Sequence, residues 1–532
     1  MRETNELILA DLIAARAEQK PDLDVLTFEG GGQREDELRT YADLMENGHR
    51  VAAGLIARGM ERGDRFALLM RNHPEFVDCM VGASVSACVF VPIDPRTRGN
   101  KLAYTLSNSE CRGIICADYC LAQLAEVREQ LPALEWIWVL ESREGDYLET
   151  DSLKEAENFA AILDRPFKAV DVRLHGAADP LEILYTSGTT GDPKGVVRSN
   201  EQYGMATMFG YLVGFTEQDR PYTGLSLTHG NAQMMTLGPT LGQGLRAVFS
   251  RRFTKSRLWD ITRKYGNTVF NLLGGMSTAV YSEPERPDDA DNPVNFVISS
   301  GMPQVIWEKF EQRFNVQVME IYGAIEGGMS IKPLGVGPIG SFGKPPPGLE
   351  IQILDEKDQP CPAGQQGELV SRLESGEAPQ VEYFGNDKAS SDKTHGGWLR
   401  SGDICHKDEE GWLFFDYRKG GGIRHNGDFI NPGFVEGVIA ECAQVSDVFV
   451  YGVPAASGSP GEKDVVAAIV VAEPDNFDSA AVFTACRVGL ESNFVPSYLQ
   501  VVEAIPKTAS EKPQERFLLE VFATDAKGVY SQ

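Results

Sequence analysis

The densest set of residues able to do chemistry lies in Leu181-Glu-Ile-Leu-Tyr-Thr-Ser-Gly-Thr-Thr-Gly-Asp-Pro-Lys-Gly195, where a short apolar run opens into a loop of hydroxyl and glycine residues closing at Lys194. Glycines such as Gly188 let backbone N–H groups turn toward an anion. The hydroxyls of Thr186, Ser187, Thr189 and Thr190 add donors, and Lys194 brings charge. Such a loop grips phosphates. It is not a Walker A loop, because Gly188 is not followed at the required distance by Gly-Lys-Ser/Thr. A polar surface turn is the alternative reading of the same residues.

Further polar and charged groups follow along the chain. Tyr322 and Glu326 lie in Ile321-Tyr-Gly-Ala-Ile-Glu326. Asp403 ends Trp398-Leu-Arg-Ser-Gly-Asp403, and Arg418 ends Phe415-Asp-Tyr-Arg418 with a permanently charged planar fork. Lys512 closes Pro506-Lys-Thr-Ala-Ser-Glu-Lys512. Taken singly, Glu326 reads as a solvated carboxylate, Arg418 as a surface cation and Lys512 as a tail lysine; their order along the chain is what gives them meaning.

The chain of 532 residues exceeds what one hydrophobic core usually supports, so at least two domains are expected. Hydrophobic residues at 42% and charged residues at 24% are ordinary for a folded globular protein. With 50 basic against 77 acidic residues the formal charge is −27, a field that repels nucleic acid and anionic membrane, so a polyanionic ligand must be held by locally placed cations and backbone donors. Nine scattered cysteines form neither a zinc pattern nor a disulfide framework and read as structural thiols of a reducing compartment. No apolar run reaches the roughly 18 residues of a membrane span, and the N-terminal segment lacks the apolar stretch of a signal peptide. A cytoplasmic location without membrane insertion is expected, and assembly, a homodimer included, stays open.

The elements that must position these groups show in the periodicity. Helix-like patterns over 41–60 and 75–86 alternate with apolar runs at 65–70, 88–93, 113–116 and 136–140, which is the texture of an α/β architecture with a largely parallel sheet. Runs at 294–300 and 316–321 flank a helix-like 304–314. After Pro338, runs at 349–354, 367–370 and 411–416 separated by turn residues read as a β-rich subdomain. Gly420, Gly421 and Gly422 suit either a hinge or a tight turn. Beyond them, apolar runs and a helix-like 479–492 suffice for a small α+β domain. The expected division is an N-terminal domain over 1–419, a hinge at 420–422 and a small mobile domain over 423–532.

The loop at 185–195 closely resembles the signature of the adenylate-forming superfamily of acyl-CoA synthetases, luciferases and adenylation domains. The resemblance extends in motif order from about Asp11 to Phe517. It implies ATP and coenzyme A as co-substrates with Mg²⁺, and roles for matching residues. The segment Ser299-Ser300-Gly301-Met302-Pro303 would contact adenine, Tyr322 beside Gly323 would stack on it, and Glu326 would hold the metal. Asp403 would bind both ribose hydroxyls, Arg418 would reach ribose and phosphate, and Lys512 would touch the substrate carboxylate and α-phosphate. Thr186 and Lys194 would act on the phosphates and His229 at the mouth of an acyl pocket lined by 272–276. Gly421 falls at the family's hinge and Gly427 in the loop facing the thiol tunnel. Three positions depart from the pattern: Ile325 stands for a threonine, Glu511 for the glycine before the lysine, and Pro513 follows it.

The stretch 417–436 looks closest to carnitine/crotonobetaine-CoA ligases. A betaine substrate would call for aromatic faces such as Tyr203, Phe209 or Tyr222; a short, medium or cyclic carboxylic acid fits as well. The implied activity is an AMP-forming carboxylate–CoA ligase working through an acyl-adenylate. The alternatives are an adenylation enzyme serving a carrier protein, and a non-catalytic adenylate-binding regulator.

Overall fold

The computed structural model describes every residue except 1–2, 33, 143–152, 154, 187–192, 420–422, 426–427, 457–461, 509–510 and 512, and leaves the side chains of 424, 428, 429 and 475 undescribed. The chain forms two compact units. The first comprises Met1–Thr254, Tyr265–Val269 and Val381–Asp392; the second comprises Lys255–Lys264, Phe270–Gln380 and Lys393–Gln532. The hinge expected at 420–422 lies outside the described residues.

The first unit is built on a seven-stranded sheet in the order Ala156–Asn158, Trp136–Leu140, Cys111–Ala117, Arg65–Leu69, Val89–Ile93, Pro180–Thr186, Lys194–Ser199. All neighbours pair in parallel except the last two, which form an antiparallel hairpin. The strand Val89–Ile93 is buried throughout, as a strand covered on both faces must be. The helix Tyr41–Ala57 starts at a capping box in which Thr40 and Asp43 satisfy each other's backbone N–H, and it ends three residues short of the expected 60 because Arg58 leaves the helix and Gly59 turns with φ +72°. A second set of strands, Pro221–Thr223, Ala247–Phe249, Asp24–Phe28 and Glu37–Thr40, completes the unit.

In the second unit Phe296–Ser300 pairs in parallel with Gln317–Ala324, which pairs antiparallel with Gly327–Lys332. The connecting helix has the expected limits, Gln304–Phe314, and buries Ile306, Trp307, Phe310 and Phe314 at helical spacing. The β-rich part is an antiparallel meander of Leu349–Leu354, Gly367–Leu373, Leu399–Lys407 and Leu413–Arg418. The run expected at 411–416 starts two residues later because Gly411 turns with φ +82°. The C-terminal part sets Val445–Pro454, Lys463–Val471, Tyr498–Val501 and Val529–Ser531 in one mixed sheet against helices Pro432–Ala440 and Ser479–Gly489. The fold is thus α/β with parallel-sheet subdomains, a β-rich part and a small α+β C-terminal part. All nine cysteines are free thiols, and eight of them are buried.

Candidate functional site

The phosphate-type loop leaves the carboxyl end of Pro180–Thr186, where parallel α/β sheets bind their ligands. Residues 187–192, which include Ser187, Gly188, Thr189 and Thr190, lie outside the described residues. Their two ends are fixed: Tyr185 pairs with Gly195 and Thr186 with Lys194 across the hairpin. The Tyr185 hydroxyl donates to Asn108 Oδ1 at 2.6 Å. On the return strand, Val197 N–H donates to the Glu382 carbonyl and Phe384 N–H donates to the Gly195 carbonyl, at 2.9 and 2.8 Å. Lys194 is exposed, with Nζ 5.2 Å from the centre of the Tyr383 ring. In the same unit His229 accepts the Asn231 N–H on Nδ1 at 3.2 Å, immediately before a π-helical segment, Ala232–Leu237. Such segments often mark functional positions.

The second unit brings three motifs together. Tyr322, near the end of Gln317–Ala324, donates its hydroxyl to Asp403 Oδ2 at 2.6 Å. Arg418, the cross-strand partner of Asp403, donates Nη1–H to Asp403 Oδ1 at 2.6 Å. The carboxylate is buried, and the backbone that carries it is held by the Asp403 N–H donating to Ser401 Oγ. Burial, then the neighbouring Asp403 charge, pushes the Tyr322 phenol well above its usual range, so it stays a donor at any working pH. One face of the Tyr322 ring packs on Phe342, with centroids 4.8 Å apart. The Arg418 side chain remains 49% exposed, which leaves guanidinium donors open to a ligand.

Glu326 sits in the turn between Gln317–Ala324 and Gly327–Lys332, its carboxylate 3.9 Å from Lys393 Nζ. Sequence reasoning missed Lys393. It ends a short polar helix, Asp387–Lys393, that carries no signal of burial, yet burial lowers its ammonium below the usual lysine range while Glu326 partly restores it.

The segment 300–303 forms a tight turn between Phe296–Ser300 and the helix that begins at Gln304, with Gly301 at φ +103°, where a side chain would be strained. Gly274 approaches so closely that its N–H donates to the Ser300 carbonyl at 2.8 Å and its Cα lies 3.2 Å from where a Gly301 Cβ would stand. The proposed adenine segment and the proposed acyl-pocket segment at 272–276 are therefore tied backbone to backbone. Tyr203, Phe209 and Tyr222 are buried, and the Tyr222 hydroxyl engages Ser250. Gly427 and Lys512 lie outside the described residues. Among those residues no helix is long and apolar enough to cross a membrane.

The AMP-binding enzyme family matches residues 13–375, and the AMP-binding enzyme C-terminal domain matches 435–512. The medium/long-chain fatty acid–CoA ligase FadD17 of Mycobacterium marinum is 30% identical over 493 residues, covering 91% of this chain and 92% of its own. A crotonobetaine/carnitine–CoA ligase of Salmonella heidelberg is 26% identical over 486 residues, covering 89% and 91%. In fold, the chain is similar to the anthranilate-CoA ligase AuaEII solved with anthranoyl-AMP, at a TM-score of 0.83 and 21% identity over 96% of each chain. The chain belongs to the AMP-binding enzyme family and is an AMP-forming acyl-CoA ligase that works through an acyl-adenylate.

Proposed function

We propose that this ligase activates an uncharged-tail aliphatic or cyclic carboxylic acid with ATP and passes the acyl group to coenzyme A, and that the nucleoside is held by Tyr322, Asp403 and Arg418. The observation that carries the nucleoside assignment is the half-open state of that cluster. A carboxylate offers about four acceptor positions, and the two described side-chain donors take one on each oxygen. The rest suit the two ribose hydroxyls. With one Tyr322 face on Phe342, adenine would stack on the other, against the turn at 300–303.

The acid's carboxylate oxygen attacks the α-phosphorus in line, forming the P–O bond of the acyl-AMP as pyrophosphate leaves. The thiolate sulfur of coenzyme A then attacks the acyl carbon, and AMP leaves with the electron pair of the broken C–O bond. Lys194 and the hydroxyls of Thr186, Ser187, Thr189 and Thr190 are assigned to the β- and γ-phosphates. Lys512 is assigned to the charge that develops at the α-phosphate, where a well-placed cation contributes several kcal/mol, roughly 3. Glu326 fits Mg²⁺, since a cation carried mostly by phosphates and water needs only one or two protein carboxylates and this one is already oriented toward a cation. When bound, the ion would neutralise triphosphate charge. His229 and 272–276 are assigned to the acyl side, and Gly427 to the thiol side.

The substrate reading rests on the aromatic side chains. A quaternary ammonium needs exposed ring faces, whereas Tyr203, Phe209 and Tyr222 are built into the core. Support comes from the fatty acid–CoA ligase relative. The test is a panel of aliphatic, cyclic and betaine acids assayed for coenzyme A-dependent AMP release. Turnover of carnitine or crotonobetaine above the aliphatic acids overturns the reading. Acid-dependent ATP–pyrophosphate exchange without coenzyme A-dependent AMP release would point instead to a carrier protein as acceptor.

A further inference from the structure

The turn at 300–303 is held from beneath by a group with no part in the mechanism above. Glu320 lies on Gln317–Ala324, two residues before Tyr322, and is buried. Its Oε1 accepts the Gly301 N–H, and both its oxygens share the Met302 N–H at 3.3 and 3.2 Å. With Gly274 N–H on the Ser300 carbonyl, the turn is fixed at three consecutive residues, and two of the three ties end on this single carboxylate. Gly301 has no side chain to hold itself and a φ that few conformations share, so its geometry depends on those ties.

We propose that the ionised Glu320 carboxylate is the positioning group of the adenine-contacting turn, so that protonating it loosens nucleoside binding. This rests on the reading that 300–303 contacts adenine. A protonated carboxyl loses its charge and keeps one carbonyl acceptor, so the charge-assisted bonds from the Gly301 and Met302 N–H groups weaken. The surroundings leave the proton close at hand: burial pushes the carboxyl up to about 7, opposed by the Gly301 and Met302 N–H groups, the Ser299 hydroxyl and the Lys332 ammonium. Lys332 is its cross-strand partner on Gly327–Lys332 and lies over the Trp307 ring. The helix Gln304–Phe314 carries Glu308, Lys309, Glu311 and Arg313, of which Glu311 accepts the Val318 N–H and acts on Lys332. The strand Val269–Leu273 contributes no charged residue.

Stability and binding then respond to pH in opposite directions. A carboxyl raised in the fold stabilises it below the ordinary carboxyl range, and that contribution is lost as pH rises through about 7. Nucleoside affinity behaves the other way. The probe is adenosine, which carries no group titrating near neutrality, measured by calorimetry from pH 6 to pH 8 on the full chain, with urea midpoints over the same range. If the protonated form does not bind, the adenosine Kd rises about tenfold from pH 8 to pH 6. Glu320→Gln should show the weak, acid-side affinity at every pH, with an unfolding midpoint at or above that of the parent at pH 8. A flat wild-type profile, or a Glu320→Gln profile with the parent's slope, overturns the proposal. The wild-type profile decides even if the variant fails to fold. Absence of adenosine and AMP binding at every pH would instead remove the nucleoside reading of the site.

Discussion

Two arginine–carboxylate pairs in this molecule share one backbone geometry and differ in what surrounds them. Glu182 and Arg198 are cross-strand partners in the hairpin of the first unit, 3.0 Å apart. Asp403 and Arg418 are cross-strand partners in the meander of the second, 2.6 Å apart. The first pair is closed, with side chains 0% and 5% exposed; the second is open on one side, at 8% and 49%. In the hairpin, Arg198 also donates to the Gln202 carbonyl, and burial raises Glu182 above the usual carboxyl range. Two donors of that guanidinium are committed within the fold, and the pair joins the two strands that flank residues 187–192. In the meander, the arginine keeps donors facing solvent. On the proposed reading, this cross-strand ion pair can serve as a ligand site because one partner is left unburied.

The largest effect should come from breaking the closed pair. Arg198→Ala leaves the Glu182 carboxylate buried without its partner, a loss of about 3–5 kcal/mol, read as a lowered urea midpoint for the first unit. The double change Glu182→Leu with Arg198→Met should restore most of that midpoint, because two apolar side chains need no compensation. A single variant as stable as the parent would refute the closed reading.

Breaking the open pair should move binding more than stability. Asp403→Asn keeps the shape and removes the charge, and hydrogen bonds to a charged group contribute about 1.5–3 kcal/mol, which corresponds to roughly a 10- to 150-fold weaker AMP Kd by calorimetry. The unfolding midpoint should shift less than for Arg198→Ala, because solvent takes up the exposed Arg418. Tyr322→Phe sharpens the same comparison at lower cost. It keeps the ring on Phe342 and deletes one donor to Asp403, for about 0.5–1.5 kcal/mol and roughly a twofold to twelvefold rise in ATP KM.

The two pairs were unequally legible in the sequence, and the reason is sequence distance. The loop at 185–195 declares itself because its hydroxyls, glycines and lysine are neighbours in the chain, and the helix Gln304–Phe314 because its buried residues recur at 3.6-residue spacing. Tyr322 and Asp403 stand 81 positions apart, so their residue types could be assigned by resemblance while the hydrogen bond joining them could not. Glu182 lies in a run where Leu181, Glu182 and Ile183 are all buried, so no alternation separates an inward charge from an outward one. Glu320 and Lys393 escaped for the same cause. Each is an ordinary charged residue in sequence, and its environment comes from residues outside its own strand or helix.

A third pair on the same meander tests whether exposure grades the effect continuously. His406 Nδ1 meets Asp416 Oδ2 at 2.9 Å, the basic partner 31% exposed, between the 5% of the closed and the 49% of the open case, and the imidazole ring stacks on Phe414. The hydrogen bond to Asp416 raises the imidazole above its ordinary 6.5, against the opposing effect of burial. A histidine raised in the fold stabilises fully below its unfolded value, and the contribution disappears as pH climbs through the folded one. The parent should therefore lose a small increment of stability between pH 6 and pH 8.5, roughly a few tenths of a kcal/mol and at most about 1, that His406→Gln does not lose. Urea midpoints at the two pH values measure it. Because the His406 and Asp416 side chains bond each other and neither is shown bonding Asp403 or Arg418, AMP affinity should stay level in the variant. A change in affinity without one in the midpoint would mean that partial exposure alone does not separate structural pairs from binding pairs.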